Sequence, residues 1–132
     1  MQRKESEERR RYVRVDIATK INFQVKEKVK EKTSPKSLPA ISKNLSVEGI
    51  CFNSEKELTP GTGLQLQMFI PSQAEPLLLE GEVKWSGPIQ GKGKTMFATG
   101  VQLYTFGESD ENRYLRYVSE KMTERLSRYL HL

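Results

Sequence analysis

The chain has 132 residues, which suits one domain with a hydrophobic core but not two. Charged residues make up 30% and hydrophobic residues 36%, a balance that excludes a membrane-embedded or wholly disordered chain. No apolar run approaches the roughly 20 residues that span a bilayer, and the N-terminus is too polar for a signal peptide, so we expect a cytoplasmic protein without membrane insertion. One cysteine and one histidine leave few soft metal ligands, so we expect no metal and no internal disulfide.

The net charge of +5 is concentrated at the N-terminal end of the chain. Residues 1–37 hold twelve Lys and Arg against six Asp and Glu, whereas residues 38–107 hold five against six and residues 108–132 hold five of each. Arginines fill four of the six positions in the stretch RRRYVR, residues 9–14. Because arginine suits planar, bidentate contact with phosphate and guanine, we expect an anionic partner here: nucleic acid, a phosphorylated small molecule or an acidic membrane.

Alternating apolar residues predict a series of short strands in the first three quarters of the chain. The first predicted strand begins at Val13 and ends at Val25, and the charged residues and proline of 26–37 then predict a long basic hairpin tip. Further strands are predicted at 38–42 and within NLSVEGICF, LQLQMFI, LLLEGEVKWSG and FATGVQLYTF. About six antiparallel strands favour a small closed barrel, because closure removes exposed edges. We expect Trp85 in its core, on the same face as Val83, and Cys51 half-buried.

The last segment, residues 108–132, has the periodicity of a helix. Its apolar positions recur at spacings of three and four residues: Leu115, Val118, Met122, Leu126 and Tyr129. Ser109 is the predicted N-cap, and the acidic residues that follow it suit the first turn of a helix. We expect the apolar stripe to cover one open side of the barrel; the alternative is a helix that binds a partner or a second copy, in a chain that is a monomer or weak dimer.

Two polar clusters are candidates for a binding site. Arg10 and Arg14 lie four residues apart, which on an extended chain puts them on one side at a separation of about 13 Å. In NLSVEG, Asn44 offers an amide, Ser46 offers a hydroxyl, and Gly49 permits the positive φ of a sharp turn. Each cluster alone can also be explained without a ligand. Arg14 suits an ion pair with a surface carboxylate, and the second cluster suits a simple turn.

In this order, Arg-x-x-x-Arg followed thirty residues later by Asn-x-Ser-x-x-Gly resembles the signature of PilZ domains. The resemblance continues through LTPGTGLQLQMFIP, LEGEVKWSG, ATGVQLYTF and the terminal helix, from Arg9 to about Tyr129. It implies a mainly β fold, a six-stranded antiparallel barrel with a C-terminal helix, in one domain at 9–132 after a flexible charged segment at 1–8. Asn44 stands where many members have Asp, which the motif allows.

The resemblance further implies a bacterial receptor for cyclic di-GMP that changes conformation and regulates an unidentified partner protein, in motility, exopolysaccharide production or a related output. The implied ligand-binding residues are Arg9, Arg10, Arg14, Asn44, Ser46 and Gly49. The ligand has two phosphodiester charges and two guanines, which arginine can pair with or stack on. In this family an arginine directly before the pair tends to accompany two intercalated ligand molecules, so Arg9 predicts two per chain.

Two other functions stay open at this point. A basic barrel can bind single-stranded nucleic acid through exposed aromatic side chains. Here most aromatic residues of the predicted strands fall at apolar positions, so a stacking platform is not predicted. A PilZ-like adaptor between proteins is disfavoured by the intact arginine pair. The sequence shows no Ser/His/Asp set, no carboxylate pair with a basic partner and no Walker-type loop, so we do not expect an enzyme.

Overall fold

Seven strands and one helix make up the described part of the computed structural model, which covers residues 13–26, 36–90, 93–104 and 108–130. The strands are β1 (Val15–Asp16), β2 (Lys20–Val25), β3 (Leu38–Leu45), β4 (Gly49–Ser54), β5 (Gly63–Phe69), β6 (Leu77–Ile89) and β7 (Met96–Leu103), and the helix is α1 (Glu108–Leu130). The predicted charged segment at 1–8, Arg9, Arg10 and most of the predicted hairpin tip at 26–37 lie outside the described residues.

Strands β2 to β7 close into a six-stranded antiparallel barrel, which confirms the predicted fold. The hydrogen-bonded order is β3-β2-β5-β6-β7-β4, and β4 pairs back with β3 to complete the ring. Alternate side chains point inward and form one core, which includes Ile21, Phe23, Phe52, Leu66, Leu79 and Val83. Closure leaves no long unpaired edge among the described strands, and this is the reason that alternating strands favour a barrel.

The single strand predicted from Val13 to Val25 is wrong in detail, because the chain forms two strands there. β1 pairs with the far end of β3, with Asp16 opposite Asn44, whereas β2 pairs with its near end, with Lys20 opposite Ile41. Ser42 of β3 bridges the interruption: its Oγ donates to the carbonyl of residue 17 at 2.5 Å and accepts from the backbone N–H of residue 19 at 2.8 Å. A β-bulge in β3 between Ser42 and Asn44 accompanies the change of partner.

The helix α1 covers one side of the barrel, as predicted. Tyr114, Tyr117 and Val118 are buried against the core, and Leu115 and Met122 pack at its margin. Among the stripe positions whose side chains the structure describes, Leu126 departs from the prediction, because it is 58% exposed; the side chain of Tyr129 lies outside the described part. The predicted N-cap is wrong, because the helix begins at Glu108 and Ser109 is its second residue. A helix of 23 residues is about 35 Å long, and the second half of α1 is mostly exposed beyond the core contacts.

Within the described residues, no helix is both long enough and apolar enough to cross a membrane.

Candidate functional site

Arg14 and Asn44, one residue from each predicted motif, are in contact. Arg14 lies directly before β1, and β1 pairs with β3 through Asp16 and Asn44. This pairing brings the side chain of Arg14 over β3. Arg14 Nη1 donates to Asn44 Oδ1 at 3.4 Å, and the arginine remains exposed to solvent. Among the described residues, Arg14 makes no ion pair with Asp16. With respect to the described residues, the guanidinium is therefore held at the site by one long hydrogen bond and keeps most of its donors.

Ser46 shapes the turn between β3 and β4. The residue is buried, and its Oγ accepts from the backbone N–H of Gly49 at 3.1 Å and of Glu48 at 3.3 Å. Its carbonyl accepts a hydrogen bond of 2.6 Å from the hydroxyl of Tyr114, which joins the turn to α1. Its described contacts position the turn and the neighbouring motif residues, and its ligand contact stays a prediction.

Gly49 is needed for a reason different from the predicted one. Among the described glycines, positive φ occurs at Gly61 and Gly93, so the expectation of a positive φ at Gly49 is wrong. Instead, β7 passes very close: a Cβ at position 49 would lie 2.6 Å from the carbonyl oxygen of Val101. A glycine is required here because only a residue without a side chain lets β4 start this near to β7.

Trp85 lies on the outside of the barrel, so its predicted place in the core is wrong. Val83 pairs with Val101, but Trp85 pairs with Gly100, so Lys84 is an extra residue in β6 and the alternation changes there. Trp85 is 46% exposed and lies flat against Gly100, where a Cβ would overlap the indole. Sequence reasoning assigned this residue to the core, because its position opposite Gly100 follows from the bulge in the pairing of β6 with β7.

Arg14, Gly49 and Trp85 line one cavity, together with Lys84 and Gln102. Its volume is about 170 Å³, below the range of roughly 300 to 1,000 Å³ that is usual for a whole small-molecule ligand. The cavity combines an exposed indole face, a guanidinium and an amide, and the carboxylate of Glu48 also lines it. It suits one planar ring of a larger ligand.

A model of the PilZ domain matches residues 8–120, which is most of the chain. The chain belongs to the PilZ domain family. A search of curated proteins finds no match.

Solved structures of PilZ proteins share the fold of this chain. The PilZ domain of Escherichia coli YcgR with c-di-GMP superposes with a TM-score of 0.65 at 15% identity, over 94% of this chain and 99% of that one. Bacillus subtilis MotI/DgrA, an inhibitor of motility, gives 0.64 at 19% identity, over 88% of this chain and 52% of that one. K. pneumonia MrkH gives 0.66 at 13% identity, over 91% and 53%. The chain thus spans about half the length of MotI/DgrA and MrkH.

Two cations lie beside the second motif of this PilZ domain: Arg14 contacts Asn44, and Lys43 directly precedes Asn44 in β3. Burial raises the pKa of the Cys51 thiol, while the charges of Lys43 and Arg14 act in the opposite direction. Cys51, predicted to be half-buried, is buried. Lys43 is the bulged residue of β3 between Ser42 and Asn44, a position that sequence reasoning did not single out.

Lys84, at the rim of the cavity, is held by Glu82. Its Nζ lies 3.5 Å from Glu82 Oε2, and Tyr104 donates to Glu82 Oε1 at 2.9 Å. The hydrogen bond from Tyr104 and the charge of Lys84 lower the pKa of the Glu82 carboxyl, so it stays anionic at neutral pH. In the described parts of the chain, no three His, Cys, Asp or Glu side chains come together as a metal site.

Proposed function

We propose that this PilZ domain is a receptor for cyclic di-GMP and acts by binding rather than by catalysis. The observation that carries the proposal is the meeting of both motifs at one place: Arg14 contacts Asn44, and Arg14 and Gly49 share a cavity with the exposed ring of Trp85. Several of the similar structures, including structures of YcgR and of MrkH, are complexes with c-di-GMP, which supports the same ligand class here.

The chemistry of the cavity fits a guanine base with its phosphodiester. Arginine can donate two parallel hydrogen bonds to O6 and N7 of guanine, or pair with phosphate. An indole offers a stacking surface worth about 1 to 3 kcal/mol per base. Arg14 and Lys43 supply positive charge for a ligand that carries two negative charges, whereas the charge of Lys84 is balanced by Glu82. A cavity of about 170 Å³ holds one base, and the remainder of the ligand extends over the exposed Arg14.

Arg9 and Arg10 complete the proposed site from outside the described residues. In the sequence they come four to five positions before Arg14 and belong to the matched family segment at 8–120. A third guanidinium offsets the repulsion between two stacked ligand molecules, which together bring four phosphodiester charges. We therefore propose two cyclic di-GMP molecules per chain.

Isothermal titration with cyclic di-GMP tests the proposal directly. The wild type is expected to bind, and cyclic di-AMP, which lacks the guanine O6 acceptor, is expected to bind at least about tenfold more weakly. Arg14→Ala removes a charged hydrogen-bond donor, a loss of about 1.5 to 3 kcal/mol that weakens binding roughly tenfold to more than a hundredfold. Arg128→Ala, in the exposed last turn of α1, is the matched control and should leave binding unchanged.

Two outcomes contradict the proposal. One is the absence of binding by the wild type at cyclic di-GMP concentrations up to about 1 mM. The other is equal affinity for cyclic di-GMP and for a single-stranded oligonucleotide, with the strong salt dependence that counterion release produces; this result would favour the nucleic-acid function instead.

Two hydrogen bonds connect the proposed site to α1, so a structural change at the site can reach a partner protein that contacts the helix. Arg125 donates to the carbonyl of Asp16 in β1, and Tyr114 donates to the carbonyl of Ser46 in the motif turn. We propose that ligand binding fixes the arginine segment against the barrel and rearranges the surface beside α1. Amide hydrogen exchange of residues 1–16 should slow when cyclic di-GMP is added; identical exchange with and without ligand contradicts this route.

A further inference from the structure

Glu48 places a negative charge at the site proposed for a ligand with two negative charges. Among the described residues that line the cavity beside Arg14 and Trp85, Glu48 is the only carboxylate. Like charges repel, so a carboxylate here weakens the binding of phosphodiester groups unless it makes a favourable contact of its own with the ligand. The presence of Glu48 is therefore informative about the part of the ligand that it faces.

The backbone of Glu48 is fixed on both sides. Its N–H donates to Ser46 Oγ at 3.3 Å, and its carbonyl accepts from the N–H of Leu103 at 2.9 Å. Gly49, the next residue, has no side chain and pairs with Gln102 of β7. These contacts hold the turn between β3 and β4 in place, so the side chain of Glu48 starts from a fixed point at the edge of the cavity.

The carboxylate of Glu48 is exposed and has no partner among the described residues. Arg14 and Lys84 line the same cavity, but neither forms an ion pair with it, and Lys84 pairs with Glu82 instead. The acceptor that the motif contributes nearby, Asn44 Oδ1, already accepts from Arg14. Within the described structure, both oxygens of Glu48 are thus available to the donors of a ligand, because a carboxylate accepts hydrogen bonds and cannot donate them.

Guanine is the base whose donors fit a carboxylate. Its N1–H and its N2 amino group lie side by side on one edge and point the same way, which matches the two oxygens of a carboxylate as the fork of an arginine does. Adenine presents an acceptor, N1, at the corresponding position, so a carboxylate there faces a lone pair. The other edge of guanine, with O6 and N7, stays free for a guanidinium such as that of Arg14.

We infer that Glu48 recognises the guanine base that occupies this cavity, by accepting hydrogen bonds from its N1–H and its N2 amino group. This role rests on the proposed cyclic di-GMP function and adds to it the residue that selects guanine. The cavity of about 170 Å³ holds one base, so an edge of that base meets the wall to which Glu48 belongs. A base without these two donors leaves the repulsion in place, so the carboxylate that accepts guanine disfavours adenine.

Calorimetric titration of the full chain with cyclic di-GMP and cyclic di-IMP tests this role. In cyclic di-IMP, hypoxanthine replaces guanine; it lacks the N2 amino group but keeps N1–H, O6 and N7, so the groups that Arg14 can bind are unchanged. The wild type should bind cyclic di-IMP roughly tenfold to a hundredfold more weakly than cyclic di-GMP, because a hydrogen bond to a charged group is lost. In Glu48→Ala the two ligands should bind with similar affinity, and Glu48→Gln, which keeps one acceptor oxygen, should give an intermediate ratio.

The ratio of the two affinities separates recognition from other effects of the substitution. If Glu48 only repels the ligand or only shapes the turn, both affinities change by the same factor and the wild-type ratio remains. Glu57→Ala removes an exposed carboxylate that does not line the cavity, so it is the matched control and should keep the wild-type ratio.

Three results overturn the inference while the proposed function stands, because the wild type binds cyclic di-GMP in all of them. They are equal affinities of the wild type for the two ligands, an unchanged ratio in both Glu48 variants, and loss of cyclic di-IMP binding together with cyclic di-GMP binding in both variants. A wild type that binds neither ligand contradicts the proposed function itself, and with it the role of Glu48.

Discussion

Gly49→Ala tests whether a close approach of two strands, rather than an unusual backbone angle, requires glycine in the second motif. The added Cβ would lie 2.6 Å from the carbonyl oxygen of Val101, and real Cβ atoms essentially never come within 3.0 Å of another heavy atom. The start of β4 must therefore move away from β7 by about 0.4 Å. The neighbouring pairing of Ile50 with Val101 belongs to the barrel ladder, so the carbonyl cannot rotate away.

Overpacking of this kind costs about 1 to 3 kcal/mol of unfolding free energy. For a domain of this length, that loss lowers the melting temperature by roughly 4 to 12 °C. Gly87→Ala in β6 is the matched control, because a Cβ there meets nothing within 4 Å, and it should be neutral or stabilising by up to about 1 kcal/mol. Circular dichroism melts and urea unfolding of the two variants measure the difference.

Gly49→Asn separates the two explanations further. Asparagine tolerates positive φ better than alanine does, so it would restore stability if the backbone angle were the reason for glycine. If the contact with Val101 is the reason, Gly49→Asn should be at least as unstable as Gly49→Ala. Equal melting temperatures for Gly49→Ala and Gly87→Ala, or a stable Gly49→Asn variant, would refute the steric explanation.

Three more predictions concern the proposed site. Trp85 is the one tryptophan of the chain, so its fluorescence should report cyclic di-GMP binding. Trp85→Ala should weaken binding roughly fivefold to 150-fold, whereas Trp85→Phe should keep most of the affinity; equal affinities of the wild type and Trp85→Ala would exclude stacking. Arg9→Leu should change the calorimetric endpoint from two ligands per chain toward one, and a one-to-one endpoint in the wild type would contradict the role of Arg9. Because burial raises the pKa of Cys51, the folded protein keeps a thiol proton that the unfolded chain loses above about pH 8.5, so stability should fall as pH rises past that value. Urea unfolding at pH 7.5 and 9.5 should show a smaller loss for Cys51→Ala than for the wild type, and an identical loss would show that this thiol is not responsible.

The barrel and its covering helix were predictable because each depends on a repeating pattern. Side chains such as Ile21 and Phe23 alternate between the two faces of a strand, and this period of two is visible without knowing the partner strand. The helical spacing that includes Val118 and Met122 is equally local. Both patterns fix which side chains face the core, and a closed barrel with a helix against it is the arrangement that buries them.

The features that sequence reasoning missed depend on contacts between strands. The position of Trp85 follows from the extra residue in β6, which is defined only by its pairing with β7. The need for glycine at position 49 comes from the carbonyl of Val101, fifty-two positions later in the chain. Likewise, Leu126 fits the helical stripe but lies beyond the surface that the barrel offers. A local pattern contains no information about how near a distant segment comes.

The extra residue at Lys84 makes the outer surface of β6 tolerant of a change in chain length. Before it, inward and outward positions follow the count from Leu77; after it, the count is shifted by one, so Trp85 faces solvent. Deleting this one lysine would restore regular pairing, and the tryptophan, then directly after Val83, would still lie opposite Gly100 on the outer face. A single-codon insertion or deletion at this position is therefore absorbed by the bulge, an evolutionary step that leaves both faces of the strand unchanged.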